Sequence, residues 1–400
     1  MKKYRLASIT GLLAIVLVFN VNAAHAAAGS LDPTFGNGGI VITPSGGGVV
    51  EDAVLQADGK IVVQGSFGVA RFLSDGAVDT SFGTGGFAQA PASANFGAVA
   101  LQSDGKILVA GVGNSLTGMG FAVTRLNTNG SLDTTFGGSG TVIANLGSPN
   151  IGEAILQQPD GKILLGGTLI ERIHYHTVLI RYNLDGSLDQ TFGGGGIVNV
   201  LAVNGVTQLA LDIAGDIFVN NSFLIAEFSH NGTQLPQVTP ALLVKSSRGG
   251  TTTFLASGKY VFADTVYVGT PRNRDLDGHV VRFTATGAID STFNSPTFDF
   301  EGEGGSGQFD TLRSVAIQSN GQLVVGGGHG VSSGGNIPFG LARFNLDGSF
   351  DSTFGNGGIV NTDISGNQGA SALLIQSDGK IVAIGGDNSG GLALARYLAQ

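Results

Sequence analysis

The sequence predicts an all-β protein: a seven-bladed β-propeller of four-stranded antiparallel blades, its ring closed by the mature N-terminal strand. Three observations carry this reading. First, a turn tripeptide recurs as Asp58-Gly59-Lys60, Asp104-Gly105-Lys106, Asp160-Gly161-Lys162, Ala214-Gly215-Asp216, Ser257-Gly258-Lys259, Asn320-Gly321-Gln322 and Asp378-Gly379-Lys380. Second, short apolar runs flank each copy, and repeats of roughly 40 to 60 residues holding several short strands mark a propeller. Third, an Arg and an Asp eight residues apart straddle a second turn glycine in most repeats.

The chain opens on an export-signal pattern over residues 1–26. Lys2, Lys3 and Arg5 form the positive region, Leu6 to Phe19 the apolar stretch, and Ala24-His25-Ala26 the small-x-small cleavage site. That stretch is shorter than the roughly 20 residues a spanning helix needs. Cleavage near Ala27, a secreted or periplasmic destination and no membrane span in the mature propeller of 27–400 are therefore expected. Without the three signal-peptide charges, 17 basic residues face 29 acidic ones, a net charge of −12. Such a surface argues against nucleic acid as a partner and leaves room for cations. With no Cys, no disulfide contributes, and stability must come from burial.

The second repeat shows the unit. Ala98 to Gln102 and Lys106 to Ala110 are apolar runs joined by Asp104-Gly105; Phe121 to Leu126 and Ser131 to Thr135 are joined by Asn129-Gly130, before Phe136-Gly137-Gly138. Short runs separated by Asp-Gly or Asn-Gly read as hairpins. Tight turns after the first and third strands place both on one face, so the longer connections share the other.

The Arg–Asp spacing sets the register. The pairs are Arg71 and Asp79, Arg125 and Asp133, Arg181 and Asp189, Arg282 and Asp290, and Arg343 and Asp351. In the fourth repeat Glu227 replaces the Arg and Leu235 the Asp, so both partners are lost together. A two-residue turn would put the partners on opposite faces, whereas a three-residue type I turn with a left-handed Gly sets them opposite one another. At the ends, Arg396 lies four residues before Gln400, while Gly29 and Asp32 supply the missing glycine and acid. Splicing Gln400 to Gly29 restores the spacing of eight. The N-terminus is thus expected to give the last blade its outer strand and remove a free edge.

The stretches Leu31-Asp32-Pro33-Thr34-Phe35-Gly36-Asn37-Gly38-Gly39, Leu188-Asp189-Gln190-Thr191-Phe192-Gly193 and Phe350-Asp351-Ser352-Thr353-Phe354-Gly355-Asn356-Gly357-Gly358 occur beside Arg-bearing strands and QxDGK-like hairpins. Together they resemble the delta-60 repeats of exported bacterial β-propellers, across essentially all of 29–400. The resemblance implies a propeller and no defined activity. The fourth repeat departs from it, with Asn231-Gly232-Thr233-Gln234-Leu235-Pro236, and the fifth has Asn294 where Gly is usual.

Variation between repeats collects on the long-loop face, where repeat proteins bind their ligands. His174 and His176, in Glu171-Arg172-Ile173-His174-Tyr175-His176, fall on one side of an extended chain, as a metal or surface hydrogen bonding could use. Asn273-Arg274-Asp275-Leu276-Asp277-Gly278 imitates the start of a calcium loop, making Asp275 and Asp277 the metal candidates. The imitation lacks the Glu a helix-loop-helix site needs at Thr284 and the late Asp a propeller loop wants at Val281. A solvated turn with Arg274 near Asp275 is the favoured reading; no cofactor is expected, and any calcium held at Asp275 and Asp277 would be weakly bound. Asp299, Glu301, Glu303 and Asp310 form an acidic segment that could complete such a site. His329 belongs to the same candidate face.

Aligning on the first turn places Asp52, Ala98, Glu153, Gln208, Thr251, Ser314 and Ala372 in one ring at the channel mouth. Glu51, Gly97, Gly152, Thr207, Gly250, Arg313 and Ser371 form the adjoining ring. Asp52 and Glu153 could hold an ion there; ordinary solvated strand starts are the alternative. Gly330-Val331-Ser332-Ser333-Gly334 matches a nucleophile-elbow string without the strand-to-helix turn that would make it one. The chain has no Trp, which Trp-bearing propeller enzymes would show. These features favour a noncatalytic binding or scaffolding module for a protein or carbohydrate at the cell exterior. The alternatives are a propeller hydrolase or lyase with a cation at the loop face or channel mouth, and a structural surface-layer component.

Overall fold

The computed structural model describes residues 26–400 apart from 45–48, 92–96, 116–117, 148–149, 172–173, 201–205, 207, 213, 221–224, 237–245, 256, 271–272, 301–307, 332–336, 365–368 and 387–390. The export-signal segment 1–25 lies outside the described residues. Every regular element described is a strand. After β1 (Ile40–Pro44), the first repeat forms β2 (Val50–Leu55), β3 (Ile61–Gly65), β4 (Gly68–Phe72) and β5 (Phe87–Ala88). The second forms β6 (Val99–Leu101), β7 (Ile107–Ser115), β8 (Gly118–Leu126) and β9 (Thr141–Ala144), and the third β10 (Asn150–Gln157), β11 (Ile163–Glu171), β12 (His174–Tyr182) and β13 (Ile197–Val200). Each of these repeats is one antiparallel sheet in chain order.

The fourth repeat contributes three described strands, β14 (Gln208–Leu211), β15 (Ile217–Asn220) and β16 (Ile225–Phe228). The fifth and sixth share one sheet. Its members are β17 (Ser246–Phe254), β18 (Tyr260–Thr270), β19 (Asn273–Phe283), β20 (Thr297–Phe298), β21 (Gln308–Ile317), β22 (Leu323–Val331), β23 (Phe339–Phe344) and β24 (Ile359–Thr362). A single parallel bridge, Leu276 to Phe309, joins the two halves. The last sheet runs β1, β27 (Gly391–Tyr397), β26 (Ile381–Gly386), β25 (Ala372–Ile375). In it Ile40 pairs Ala395, and Asp32 N–H donates to Arg396 O.

The turns explain this regularity. In the third-strand hairpins Leu73 N–H donates to Ala77 O, and Gly76 takes φ 88°. Three residues thus separate the closing pair, with the left-handed glycine last, and Arg71 faces Asp79 across the ladder. The strands themselves are buried on both faces: β3, β4 and β27 have no exposed residue. Sheets packed face to face bury both sides, which reads as unbroken apolar runs such as Ile61-Val62-Val63. Each core lies between neighbouring sheets. Val62, Val69 and Phe82 of the first repeat pack with Val99, Ile107 and Leu126 of the second. Val50, Ile61 and Phe72 pack with Val382, Leu392 and Leu394 of the last. The inner strands β2, β6, β10, β14, β17, β21 and β25 touch in that order, and β25 also lies against β2.

Candidate functional site

Three places could carry function: the Arg–Asp joints between repeats, the central cavity, and the long-connection face. At the joints, Nε of Arg71, Arg125, Arg181, Arg282 and Arg343 donates to the Asp eight residues on at 2.7–2.8 Å. Nε of Arg396 sits 2.9 Å from Asp32 Oδ2. All twelve partners are buried. The guanidinium reaches further, its Nη1 donating to a backbone carbonyl of the next repeat. The acceptors are Thr128, Leu184, His230, Leu346, Ala399 and, from Arg396, Ser74. A planar, multi-donor guanidinium can serve both partners at once.

This geometry explains each letter of the repeated segment. The hydroxyl two residues past each Asp, from Thr34, Ser81, Thr135, Thr191, Thr292 or Thr353, donates to its Oδ1. The following Phe lies 4.5–4.7 Å beneath the Arg, with Phe82, Phe136, Phe192, Phe293, Phe354 and Phe35 in that role. The turn tripeptide contributes too: Lys60, Lys106, Lys162, Lys259 and Lys380 reach the same Asp at 2.7–3.6 Å. In the sixth repeat Gln322 Nε2 takes their place, at 2.7 Å from Asp351. Spacing alone did not single out these Lys and Phe partners, although their recurrence at a constant offset from the Arg was the available signal. Asp32 is held down at about 2; burial opposes this, and the Thr34 hydrogen bonds, Lys380 and Arg396 overcome it. Asn294 replaces the usual glycine without breaking the joint, since its N–H still donates to Asp347 O.

The second place is a cavity of about 350 Å³ among the inner strands, lined by Glu51, Asp52, Glu153, Gln208, Arg313 and Ser371 with their neighbours. One alignment made from the sequence needs correction. Gly152 pairs Gly167 and Ala154 pairs Gly166, leaving Glu153 in a bulge, as Glu51 is between Val50 and Asp52 and Arg313 between Leu312 and Ser314. Glu153 therefore stands level with Glu51 and Arg313, and Ala154 takes the place of Asp52. The bulge recurs at the same distance from the turn: Glu153 is seven residues before Asp160, as Glu51 is before Asp58 and Arg313 before Asn320, whereas Asp52 and Ser314 are six before theirs, so a constant offset from the turn places Ala154 with them.

The polar groups here join repeats. Asp52 accepts from Val99 N–H at 2.9 Å, Glu153 from Val206 N–H at 3.1 Å, Gln208 from Thr252 N–H at 2.6 Å, and Ser314 Oγ from Leu373 N–H at 3.0 Å. Glu153 also accepts from Thr168 Oγ1. Asp52 is half-buried by area because its oxygens meet the cavity, with protein on its other sides. Burial pushes it to about 6 against the pull of two N–H donors, with Glu51 adding to the rise. Burial raises Glu153 as well.

The third place corrects the calcium-loop reading. Residues 273–278 begin β19 and pair residue for residue with β18, from Thr270 opposite Asn273 to Thr265 opposite Gly278. Its backbone is spent on the ladder, so it is neither a calcium loop nor a solvated turn. Gly278 is small for a different reason: a Cβ there would lie 2.6 Å from the Phe298 ring. The strand alternation still points Asp275 and Asp277 to one side, where the charges of Asp299 and Asp310 reach them. Burial first, then these like charges, pushes Asp277 to about 6 and Asp310 to about 8. Asp310 Oδ2 accepts from Phe300 N–H at 3.0 Å, and Asp310 pairs across the ladder with His329. On the same side Asp264, buried, lies 3.0 Å from His279 Nδ1. Sequence reasoning missed this pair, because Asp264 belongs to a strand with no acidic pattern. His174 and His176 are in β12, opposite Glu171 and Leu169 and two repeats away from this cluster. Glu301, Glu303 and Ser332 lie outside the described residues.

The family model described as a β-propeller domain of unknown function, DUF5122, matches residues 56–82, 102–136, 158–192 and 318–354. No curated protein matches the chain. Among solved structures, the chain is similar to the WD40 β-propeller domain of Doa1, at 13% identity and TM-score 0.53, over 90% of this chain and 98% of that one. It is also similar to the extracellular domain of the putative one-component system BT4673 of B. thetaiotaomicron (14%, TM-score 0.49, 90% and 40%). A third likeness is to the periplasmic gluconolactonase PpgL of Pseudomonas aeruginosa (11%, TM-score 0.45, 88% and 99%). The chain has the β-propeller fold, and the DUF5122 matches fall on the hairpins that build its Arg–Asp joints.

Proposed function

We propose that this chain is an exported, seven-bladed, noncatalytic propeller of the delta-60 repeat type that binds a protein or carbohydrate through its long-loop face. The seven-bladed ring is supported by the unbroken succession of inner strands, with β25 against β2, and by β1 completing the last sheet. Export rests on residues 1–26.

The observation that carries the noncatalytic reading is the use made of the cavity's acids. Both oxygens of Asp52 accept backbone N–H groups, from Ala53 and from Val99 of the next repeat, and Glu153 Oε2 accepts from Val206 N–H and Thr168 Oγ1, so these acids serve to join repeats, as Gln208 does. The acidic side of β19 instead offers a weak cation seat on Asp275 and Asp277, completed by Asp299 or Asp310. Such a cation would organise the loop face for a ligand rather than perform chemistry.

The test is a panel of lactone, glycoside and polyuronate substrates run on the parent, Asp52→Asn and Glu153→Gln. The expected result is no turnover by any of the three proteins. Turnover lost in either variant while its melting temperature stays parental would favour the hydrolase or lyase reading.

A further inference from the structure

Blade four keeps the backbone of the joint and reverses its charge. The register makes the comparison exact to the residue: Asp212, Asp216 and Glu227 occupy the places that Gln158, Lys162 and Arg181 hold in blade three, and Leu235 that of Asp189. The hairpin is preserved, since Leu235 N–H donates to Glu227 O as Asp189 N–H does to Arg181 O. Lys162, Arg181 and Asp189 sum to +1; Asp212, Asp216 and Glu227 sum to −3. One oxygen from each of the three acids lies within 4.8 Å of the others, and all three side chains are half-buried. The next blade presents the Ala285 carbonyl at the position that accepts an Arg N–H at the other joints. At this joint its homologous neighbour is a carboxylate.

We infer that the seam between blades four and five is the charge-gated joint of the ring, loosened when Glu227 is ionised beside Asp212 and Asp216 and tightened when Glu227 carries a proton. The inference goes beyond the binding reading and does not depend on it. Six joints are held by a buried cation reaching across to the next blade, whereas this one brings like charges together. The groups facing Glu227 are Asp212 and Asp216 from the β14–β15 turn and, from the next blade, Tyr260 of β18. Exposed His230 gives its N–H to Asp216 Oδ1 at 3.1 Å, and its carbonyl receives Arg181. Burial and the two Asp charges raise Glu227, and the Glu227 charge in turn helps to raise Tyr260.

The sign follows. A carboxylate raised by folding favours the folded joint when protonated, so this seam strengthens as pH falls through the raised range of Glu227, above the ordinary 4.5 of a Glu. The clasped Asp residues are lowered, so the other six seams lose stability only in stronger acid. Amide exchange, corrected for intrinsic rates, separates the two. From pH 7 to pH 4.5, protection in β15 and β16 should rise by about twofold or more beyond whatever rise β7, β8, β11 and β12 show from the titration of Asp52. Glu227→Gln should abolish this pH response. Glu227→Arg with Leu235→Asp should rebuild the sister joint and raise protection at pH 7 to that of blade three; if that variant does not fold, Glu227→Gln decides alone. Equal protection at all seams at pH 7, or an excess response that survives Glu227→Gln, overturns the inference.

Discussion

Replacing Asp189 by Ala tests the joints most directly. Asp189 is 3% exposed and accepts from Arg181 Nε and Lys162 Nζ, each at 2.7 Å, from Thr191 N–H at 3.1 Å and from Thr191 Oγ1 at 2.7 Å. The substitution leaves the Arg181 guanidinium, 5% exposed, without its counter-charge. Breaking a buried pair costs about 3–5 kcal/mol. Two features move the value to the lower end: Arg181 keeps the Phe192 ring and the His230 carbonyl, and Lys162, more than a quarter exposed, can turn to water. We therefore expect a loss of about 3 kcal/mol. The assay is urea unfolding at pH 7, with Asp185→Ala in the exposed turn as control; an exposed pair or turn acid costs under about 1 kcal/mol. Arg181→Met should cost a similar amount, and Asp189→Ala in that background much less, because no stranded charge remains. A loss no larger than that of the control, or strict additivity of the two substitutions, would refute the clasp.

Deleting residues 27–41 removes Asp32, Phe35 and the start of β1, so the whole domain should melt at lower temperature and associate through β27; joining Gln400 to Gly29 with new termini at Ser332 should preserve the fold. A deletion mutant that melts like the parent sinks this. Gly130→Ala should cost at least about 1–2 kcal/mol from its φ of 85° alone, and more because the new Cβ would lie 2.8 Å from Gly83 N and 2.9 Å from the Phe82 ring; an unchanged urea midpoint would contradict it. Stability should rise as pH falls from about 7 towards 5, where Asp52, raised to about 6, takes up a proton, and fall below about pH 4 as the clasp carboxylates are protonated. Asp52→Asn should flatten the neutral limb, and a parental melting curve flat from pH 7 to 3 would show that neither group is linked to folding. Calorimetry with calcium should find at most one site, weaker than about 100 μM; tight binding that survives Asp277→Ala would place the cation elsewhere.

The joints were legible in the sequence to the extent that they are local. An Arg and Asp eight residues apart share one hairpin, and a three-residue turn with a left-handed glycine fixes their facing without help from the rest of the chain. Recurrence of the turn marked the repeat, and Arg396 with Asp32 marked the partnership of the two ends. Other features depended on contacts that no spacing encodes. Lys162 and Asp189 meet because two hairpins of one sheet converge, and Arg181 reaches His230 because neighbouring sheets pack face to face. A constant offset from the turn was enough to set Glu153 level with Glu51 and Arg313, but that all three sit in a bulge is a matter of strand pairing that residue type does not encode. Asp275 and Asp277 looked like the start of a loop because alternating acids suit both a calcium turn and one face of a strand. Pairing with β18 decided between them, and the fold then brought Asp299 and Asp310 alongside. Sequence determines what lies within one hairpin, where geometry follows from a few dihedral angles; tertiary packing decides which hairpins meet, and so where charge accumulates.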